Sequence, residues 1–295
     1  KNYVFTILLL LIVMVLPLIW KTPYILHTLI MIFFWASYSL SWWLLETSGQ
    51  ASLGHSAFLG IGGYTVAVFA ILGVSLEFSL FIGPLAAVIL GFLIGVICTR
   101  LKEWFLALAT LSLIFVCDAA FRSWDLVGRS TGTSTPSFFV GESFYIFQYY
   151  SFLSYMLASL LIISIILRST VGIAFKVIRE DQLAASSIGI NVTKYKLLAF
   201  IISALFAGLS GVLFVQYIRY VGPSIFSIEN AIMPLLMTIC GGRGVIGGLL
   251  VGAFLIYVIS ESLRAMPFYG AEIFRMIVLG LIFILIILFL PDGFI

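Results

Sequence analysis

Runs of about twenty apolar residues recur along most of the chain, and they restrict its possible folds more than any other feature. A helix needs roughly 20 such residues to cross about 30 Å of hydrocarbon. Hydrophobic residues make up 63% of the 295 residues and charged ones only 9%, whereas ordinary soluble domains carry about 25% charged residues. The sequence therefore predicts an all-α, polytopic transmembrane helical bundle, organised as a single transmembrane domain over residues 1–295.

About nine membrane segments are predicted from these runs. The first run ends at Trp20 and Lys21 without the small-residue cleavage site of a signal peptide, so we interpret it as a span. The predicted segments lie near residues 3–20, 24–45, 57–74, 79–99, 104–121, 145–167, 197–217, 229–258 and 272–290.

One long polar stretch, residues 168–196, interrupts this pattern. It holds five of the fifteen Lys and Arg residues, namely Arg168, Lys176, Arg179, Lys194 and Lys196. The segment 174–188 contains no Gly or Pro, and Gly189 with Asn191 behind it indicates a left-handed helix end. We expect a short surface helix here on which a cytoplasmic partner acts. A solvated connector between two spans is the alternative.

The positive-inside rule orients the predicted bundle. With residue 1 in the cytoplasm, eight Lys and Arg fall on the cytoplasmic side, in the N-terminus, the turn 100–102 and the loop 168–196. Lys21, Arg122, Arg129 and Arg219 fall on the opposite side. The sequence thus predicts a multi-pass protein whose loop 168–196 faces the cytoplasm.

Two glycine-rich interruptions, at 49–63 and 241–248, predict helix breaks within the membrane. Irregular backbone at this depth is tolerated where protein or a water-filled cavity covers it, and broken helices line many transporter pathways. Between Ser52 and Tyr64 lie His55 and several Gly residues, and the freed amides there could face an anionic group. A hydrogen-bonded interfacial role for His55 is the alternative. The second break indicates either one broken helix or a half-helix that turns back.

Small residues four positions apart predict close helix packing, as in Gly91 and Gly95 or Ala204 and Gly208. The carboxylates of Glu46 and Asp118 lie near predicted span ends, where we expect them to reach water or headgroups.

Several function classes are disfavoured by the residues themselves. There is no Walker-type phosphate loop and no HExxH motif, and neither His27 nor His55 has a carboxylate or second histidine at ligand spacing. The cysteines are too scattered for a disulfide framework or metal site. The small, dispersed net charge of +3 offers no nucleic-acid surface. The segment 208–211, GLSG, resembles the nucleophile segment of rhomboid proteases, which also need a histidine near Ser210.

Three stretches resemble the LivM-type permease subunits of branched-chain amino-acid ABC importers, a family that also includes LivH-type and urea permeases. Residues 52–64, SLGHSAFLGIGGY, look like that family's glycine-rich signature. Residues 172–191, GIAFKVIREDQLAASSIGIN, are similar to its cytoplasmic loop, and 241–244, GGRG, stand where the family has GG-x-G. Order and spacing agree over roughly residues 25–290.

The resemblance implies that the loop 168–196 carries a coupling helix, which docks on a separate ATPase. The family pattern is EAA-x-x-x-G. Here Leu183 occupies the Glu position, and the acids lie earlier, at 180–181. The residues implied for ATPase coupling are a charged rim and a small-residue surface: Arg179, Glu180 and Asp181, then Ala184, Ala185 and Gly189.

The two glycine-rich breaks predict a translocation pathway, and the resemblance further implies a set of partners. The pathway residues are Ser52, Gly54, His55, Ser56, Gly60, Gly62, Gly241, Gly242 and Gly244. The expected partners are a second, LivH-like permease, two LivG- and LivF-like ATP-binding subunits that hold ATP and Mg, an extracytoplasmic solute-binding protein and the lipid bilayer of a prokaryotic inner membrane. No cofactor is expected on this chain, which is not expected to be an enzyme. A urea or short-amide permease and a self-contained secondary transporter are the alternatives.

Overall fold

Long apolar helices account for most of the computed structural model, which describes residues 13–17, 22–101, 103–138, 141, 143–242, 246–266 and 270–289. After a helical stretch at 13–17, the helices are α1 (Pro23–Glu46), α2 (His55–Leu72), α3 (Ser79–Cys98), α4 (Glu103–Ser123), α5 (Phe144–Arg168), α6 (Thr170–Glu180), α7 (Gln182–Ser187), α8 (Val192–Ile218), α9 (Ile228–Gly241), α10 (Ile246–Arg264) and α11 (Ala271–Phe289). Short 3₁₀ turns lie at Leu76–Phe78, Asp125–Val127, Arg129–Thr131 and Pro223–Phe226.

Seven helices in this described part of the chain are long and apolar enough to cross a membrane. The polytopic helical bundle predicted from the sequence is thereby confirmed. The seven are Pro23–Glu46, His55–Leu72, Leu76–Cys98, Trp104–Ser123, Phe144–Arg168, Val192–Ile218 and Gly247–Arg264, with shorter apolar helices at Ile228–Gly241 and Ile273–Ile286. Most of the predicted span 3–20 lies outside the described residues, so the count of nine stays a prediction.

Local sequence signals set several helix ends. Pro23 opens α1, where a missing N–H costs no hydrogen bond. Gly73 ends α2 in the left-handed conformation, at φ +67°. The side chains of Asn191 and Ser227 cap α8 and α9 by accepting hydrogen bonds from the backbone N–H groups of Lys194 and Asn230.

Contacts between loops define two ends of the bundle. At one end, called the coupling-loop end because it carries the loop 168–196 that is predicted to couple, the turn after α1 contacts this loop, since Gln50 Nε2 donates to the carbonyl of Lys196 at 3.0 Å. At the opposite end, a two-residue strand β1 (Thr133–Ser134) pairs antiparallel with β2 (Tyr220–Val221). The charges grouped by the sequence argument, at 168–196 and at 122, 129 and 219, thus lie at opposite ends.

Glycine contacts bring α2, α3 and α8 close together in the core. A β-carbon added at Gly62 on α2 would overlap the carbonyl oxygen of Gly208 on α8. One added at Gly91 on α3 would lie 2.6 Å from Cβ of Ala204 on α8. The small residues at four-residue spacing therefore serve helix packing, as expected for close approach in lipid.

The break after Gly241 is a reversal of chain direction, so of the two interpretations of the last third the half-helix that turns back is confirmed. A β-carbon at Gly241 on α9 would overlap Gly248 on α10, and one at Gly252 would overlap the carbonyl oxygen of Met237. This pairing is antiparallel, so α9 and α10 form a helical hairpin; residues 243–245 lie outside the described residues. Asp292, which this interpretation carries to the coupling-loop side, also lies outside them.

The outer surface of the bundle is apolar, as expected of a protein surrounded by lipid. Phe81, Ile89 and Leu93 on α3 are exposed, whereas Ile30, Leu40 and Leu44 on α1 are fully buried. Helix α1 therefore lies in the core of the bundle, with α3 at its periphery.

Candidate functional site

The polar loop contains two helices, and the prediction of one continuous helix over 174–188 is wrong. Helix α6 ends at Glu180, and Asp181 adopts an extended conformation at φ −155° and ψ 116°. Its Oδ1 accepts hydrogen bonds from the backbone N–H of Leu183 at 2.7 Å and of Ala184 at 3.1 Å. Asp181 breaks the helix because its short side chain competes for the amides that would continue it, and it then caps α7.

The loop offers an exposed surface with both charged and apolar groups. Glu180 and Asp181 are exposed, and Leu183 and Ile188 are 79% and 70% exposed, large values for such apolar side chains. Ala184 is exposed as well, and Gly189 ends α7 at φ +87°, the left-handed conformation expected of it.

Two of the predicted coupling residues make contacts within the chain itself. Ala185, a residue of α7, is completely buried. Arg179 Nη2 lies 3.0 Å from Oε1 of Glu46, the last residue of α1. The expectation that Glu46 simply reaches water or headgroups is therefore wrong, since its side chain is only 12% exposed. Asp118, expected to do the same, forms an ion pair with Arg122 at 2.6 Å.

The break between α1 and α2 holds a buried polar cluster. Ser52, His55 and Ser56 are fully buried, and Gly54 lies close against the backbone of Thr110 on α4. Ser52 is held by two hydrogen bonds, because its carbonyl accepts from Trp42 Nε1 at 2.8 Å and its hydroxyl accepts from the Gly54 amide at 3.1 Å.

Hydrogen bonds fix the roles of the two imidazole nitrogens of His55. Ser41 Oγ donates its one proton to the carbonyl of Tyr38 at 2.6 Å. His55 Nε2, 2.8 Å from Ser41 Oγ, must then be the donor in that pair. A neutral imidazole has one N–H, so Nδ1 is left as an acceptor.

Three buried polar atoms near this break have no hydrogen-bond partner among the described residues. They are Nδ1 of His55, Oγ of Ser56 and the hydroxyl of Tyr38. The rings of Tyr38 and His55 are adjacent, with centroids 5.2 Å apart. Buried polar groups are rarely left unpaired, because each costs about 1–3 kcal/mol. The cluster thus holds one acceptor and two hydroxyls whose hydrogen-bonding capacity is unused within the described residues.

Most of the predicted pathway glycines lie where neighbouring chain packs closely against them, and one has a left-handed backbone conformation. A β-carbon at Gly60 would overlap the ring of Phe226, and Gly62 lies against Gly208, so both are occupied by neighbouring chain. Gly241 packs against Gly248 in the α9–α10 hairpin, and Gly242 follows at φ +105°. Gly244 lies outside the described residues.

The α9–α10 hairpin lies close to the break between α1 and α2. The two predicted pathway regions are therefore near each other. Ser39 on α1 donates a hydrogen bond to Sδ of Met237 on α9 at 3.5 Å. Ser41, two residues further along α1, is the partner of His55. The structure therefore brings the 52–56 segment and the hairpin to the same part of α1.

An ion pair between a buried arginine and a partly exposed glutamate in the last third was not found from the sequence. Arg275 Nη2 on α11 lies 2.8 Å from Glu229 Oε1 at the start of α9, and Nη1 donates to Ser260 Oγ on α10 at 3.1 Å. The arginine at the start of a predicted span was a signal for it, because a charge there usually has a partner.

Ser210 has no catalytic histidine beside it. Its hydroxyl donates to the carbonyl of Phe206 and lies 3.0 Å from the hydroxyl of Tyr155. Both histidines bond elsewhere, His55 to Ser41 and His27 to Tyr217. The rhomboid-like dyad is therefore absent from this structure. Among the described residues no three His, Cys, Asp or Glu side chains are grouped as a metal site would require.

The chain matches one known protein family over most of its length. Residues 24–287 match the family described as the branched-chain amino acid transport system permease component. This range includes both glycine-rich breaks and the loop 168–196. The chain belongs to this permease family. The resemblance drawn from the three motifs is confirmed.

Two relatives from bacteria are about 30% identical to this chain. It is 31% identical to the high-affinity branched-chain amino acid transport system permease protein LivM of Salmonella typhimurium and 30% identical to the protein of that name from Escherichia coli. Each comparison covers 83% of this chain and 64% of the relative, so the chain spans just under two-thirds of their length.

The fold also occurs in a solved structure of low sequence identity. PsaBC from Streptococcus pneumoniae in complex with Fab aligns with a TM-score of 0.53 and 14% identity, over 92% of this chain and 93% of that chain. At this identity the similarity concerns the arrangement of helices alone.

Proposed function

We propose that this chain is a membrane-spanning permease subunit of an ABC importer, which carries branched-chain or related hydrophobic amino acids across the cytoplasmic membrane of a prokaryote. The observation that carries the proposal is the coupling loop. Buried Phe175, Ile178 and Ala185 fix α6 and α7 to the bundle, while Leu183 and Ile188 remain exposed. A rigidly anchored surface of this kind can receive force from a partner.

The proposed partners supply the energy and the solute. Two ATP-binding subunits, LivG- and LivF-like, hold ATP and Mg, a second LivH-like permease completes the membrane domain, and an extracytoplasmic protein delivers the solute. Both relatives carry names of permease proteins of a branched-chain amino acid transport system, which supports this assembly. The distribution of Lys and Arg residues supports a coupling loop in the cytoplasm and a cytoplasmic N-terminus.

The mechanism is a two-state gate that is biased from the cytoplasm. ATP binding closes the ATPase subunits, the loop moves with them, and the helices tilt to open a path to the outside. Hydrolysis and product release reset the assembly. In this scheme the polar groups at Tyr38, His55 and Ser56 meet the polar end of the solute during passage. They offer hydrogen bonds without a formal charge, which suits a zwitterion.

Two alternatives compete with this assignment. A urea or short-amide permease needs the same neutral hydrogen-bonding groups, so the solute must be decided by uptake. A secondary transporter needs a carboxylate or polar ring that binds its driving ion. Glu229 is a membrane-proximal carboxylate, but it is engaged by Arg275, which disfavours that role.

Co-purification and uptake test the proposal. Tagged chain extracted from its native membrane should bring down a second permease and two nucleotide-binding subunits, identified by mass spectrometry. Uptake of radiolabelled leucine into cells that express the assembly should exceed that of a deletion strain, with urea as the competing cargo. Isolation of the chain without ATP-binding subunits, from membranes that contain them, would contradict the ABC assignment. Uptake of urea but not leucine would contradict the cargo.

A further inference from the structure

The ion pair between Glu46 and Arg179 links two parts of the chain that are distant in sequence. Glu46 ends α1, and Arg179 lies in the last turn of α6 within the coupling loop. Their side chains are 12% and 35% exposed, and the charged atoms are 3.0 Å apart. Partial burial makes the pair costly to break, because a single remaining charge would keep its desolvation penalty without its partner.

The turn that follows α1 is fitted against the same helix. Gly49 has φ +74°, and a β-carbon there would lie 3.2 Å from Cα of Arg179. Gln50 Nε2 donates to Ser48 Oγ at 2.8 Å and to the Lys196 carbonyl at 3.0 Å. The turn 47–50 is therefore held between α6 on one side and the start of α8 on the other.

Hydrogen bonds continue from this turn to the polar break. Ser52 is bonded to Trp42 on α1, and the Leu53 amide donates to Thr110 Oγ1 on α4 at 3.1 Å. His55 then bonds to Ser41 on α1. A displacement of the end of α1 would thus be transmitted to the first residue of α2 through a short series of direct contacts.

The loop itself is covalently attached to α5 and α8, and not to α1 or α2. Force that the loop receives can reach the polar break at His55 through contacts of this kind, in addition to the packing of α5 on α1 and of α8 on α2. We propose that Glu46 and Arg179 are a positioning pair that carries movement of the coupling loop to α1 and to the break before α2. This inference rests on the proposed function and assigns Arg179 to transmission inside the permease rather than to the surface that meets the ATPase.

The test measures coupling rather than activity alone. The complete importer, with its ATP-binding subunits and binding protein, is placed in proteoliposomes, and leucine transported per ATP hydrolysed is determined. Glu46→Gln and Arg179→Gln should each lower this ratio at least about fivefold, the lower end of ordinary coupling energies. The exchange Glu46→Arg with Arg179→Glu should restore it to within about twofold of the wild type.

Matched controls remove charges that lie outside the pair. Glu77→Gln at the opposite end and Arg100→Gln at the coupling-loop end concern exposed side chains and should leave the ratio unchanged. Single variants that couple like the wild type overturn the inference. An exchange variant that is as uncoupled as the single variants also overturns the inference. Single variants that fail to assemble overturn it as well, because the pair would then have a structural role.

The proposed function fails in a different way. A wild-type complex that hydrolyses ATP without leucine uptake, or takes up leucine without ATP, contradicts the importer itself. The pair inference alone is overturned when the wild type couples and Glu46→Gln couples equally well.

Discussion

Arg275 on α11 forms an ion pair with Glu229 at the start of α9, and the same guanidinium donates a hydrogen bond to Ser260 on α10. One side chain thus joins three helices. The two grooves beside α11 are lined almost entirely by apolar side chains, among them Met276 and Phe283 on the α9 side and Ile282 and Ile286 on the α10 side. The polar contacts of Arg275 therefore add directional bonds to a helix that otherwise borders these grooves with apolar side chains.

Removal of one member of this pair should destabilise the last third of the chain. Glu229→Gln removes the carboxylate partner of the largely buried guanidinium, and the loss of a hydrogen bond to a charged group costs about 1.5–3 kcal/mol. We expect a clear fall in the detergent melting temperature, measured by tryptophan fluorescence. Glu229→Leu with Arg275→Leu should fall less, because no charge remains. Equal melting temperatures for Glu229→Gln and the wild type would contradict this role.

Glycine-to-alanine variants should lose stability where the glycine is in close helix packing and not where it is on the open surface. Gly62→Ala places a β-carbon in the carbonyl of Gly208 and should cost about 1–3 kcal/mol through overpacking. At Gly280, an exposed helical position, a β-carbon has no atom within 4 Å. Gly280→Ala should therefore be neutral or stabilise by up to about 1 kcal/mol. Thermal unfolding of both variants in one detergent gives the comparison, and a matching loss in both would refute it.

The capping role of Asp181 predicts a position-specific change in backbone protection. Asp181→Ala removes the acceptor for the amides of Leu183 and Ala184, at a cost of about 1 kcal/mol. Hydrogen exchange across 182–187 should accelerate about fivefold, while Asp181→Asn, also a good cap, should remain near the wild type. If Asn and Ala behave alike, charge rather than capping explains the residue.

The charged rim makes a separate prediction about coupling. Glu180→Lys with Asp181→Asn reverses the exposed charge while it retains the cap, and we expect ATP hydrolysis without leucine uptake in the assembled complex. The companion variant Asp181→Asn alone keeps the charge of Glu180 and should transport more leucine per ATP than the double variant. Unchanged uptake in the double variant would remove Glu180 from the docking surface.

A variant of His55 tests the predicted pathway at the polar break, and the same change at His27 is its control. His55→Leu removes the bond to Ser41 and the free acceptor Nδ1, and leucine uptake should fall about tenfold, the effect of one or two lost hydrogen bonds. His27→Leu removes a bond to Tyr217 near the opposite end and should retain most uptake. Uptake is compared at equal amounts of assembled complex. Similar losses in both variants would argue against a pathway at His55.

Features with a local cause could be predicted from the sequence. The six spans from 24 to 217 follow from apolar runs of the right length, and each matches a helix. The spacing of Gly91, Ala204 and Gly208 predicted close packing, since only small residues allow such approach. Gly189 was recognised as a helix end because its left-handed conformation suits glycine.

Features that depend on distant contacts could not be predicted. Glu46 at a span end has water as its default partner, and only the folded chain brings Arg179 to it. The same holds for Glu229 and Arg275, which belong to different helices. The break at Asp181 was missed for a different reason: its neighbours are helix formers, and a single side chain decides between continuation and a new cap.

Reconstitution with and without the ATP-binding subunits tests the central claim most directly. Leucine uptake is measured in proteoliposomes that contain either this chain and its partner permease alone or the full assembly with binding protein. The account predicts uptake only in the full assembly, only with hydrolysable ATP, and none with a non-hydrolysable analogue beyond a single turnover. Sustained leucine uptake by the permease chains without any ATP-hydrolysing subunit would contradict it.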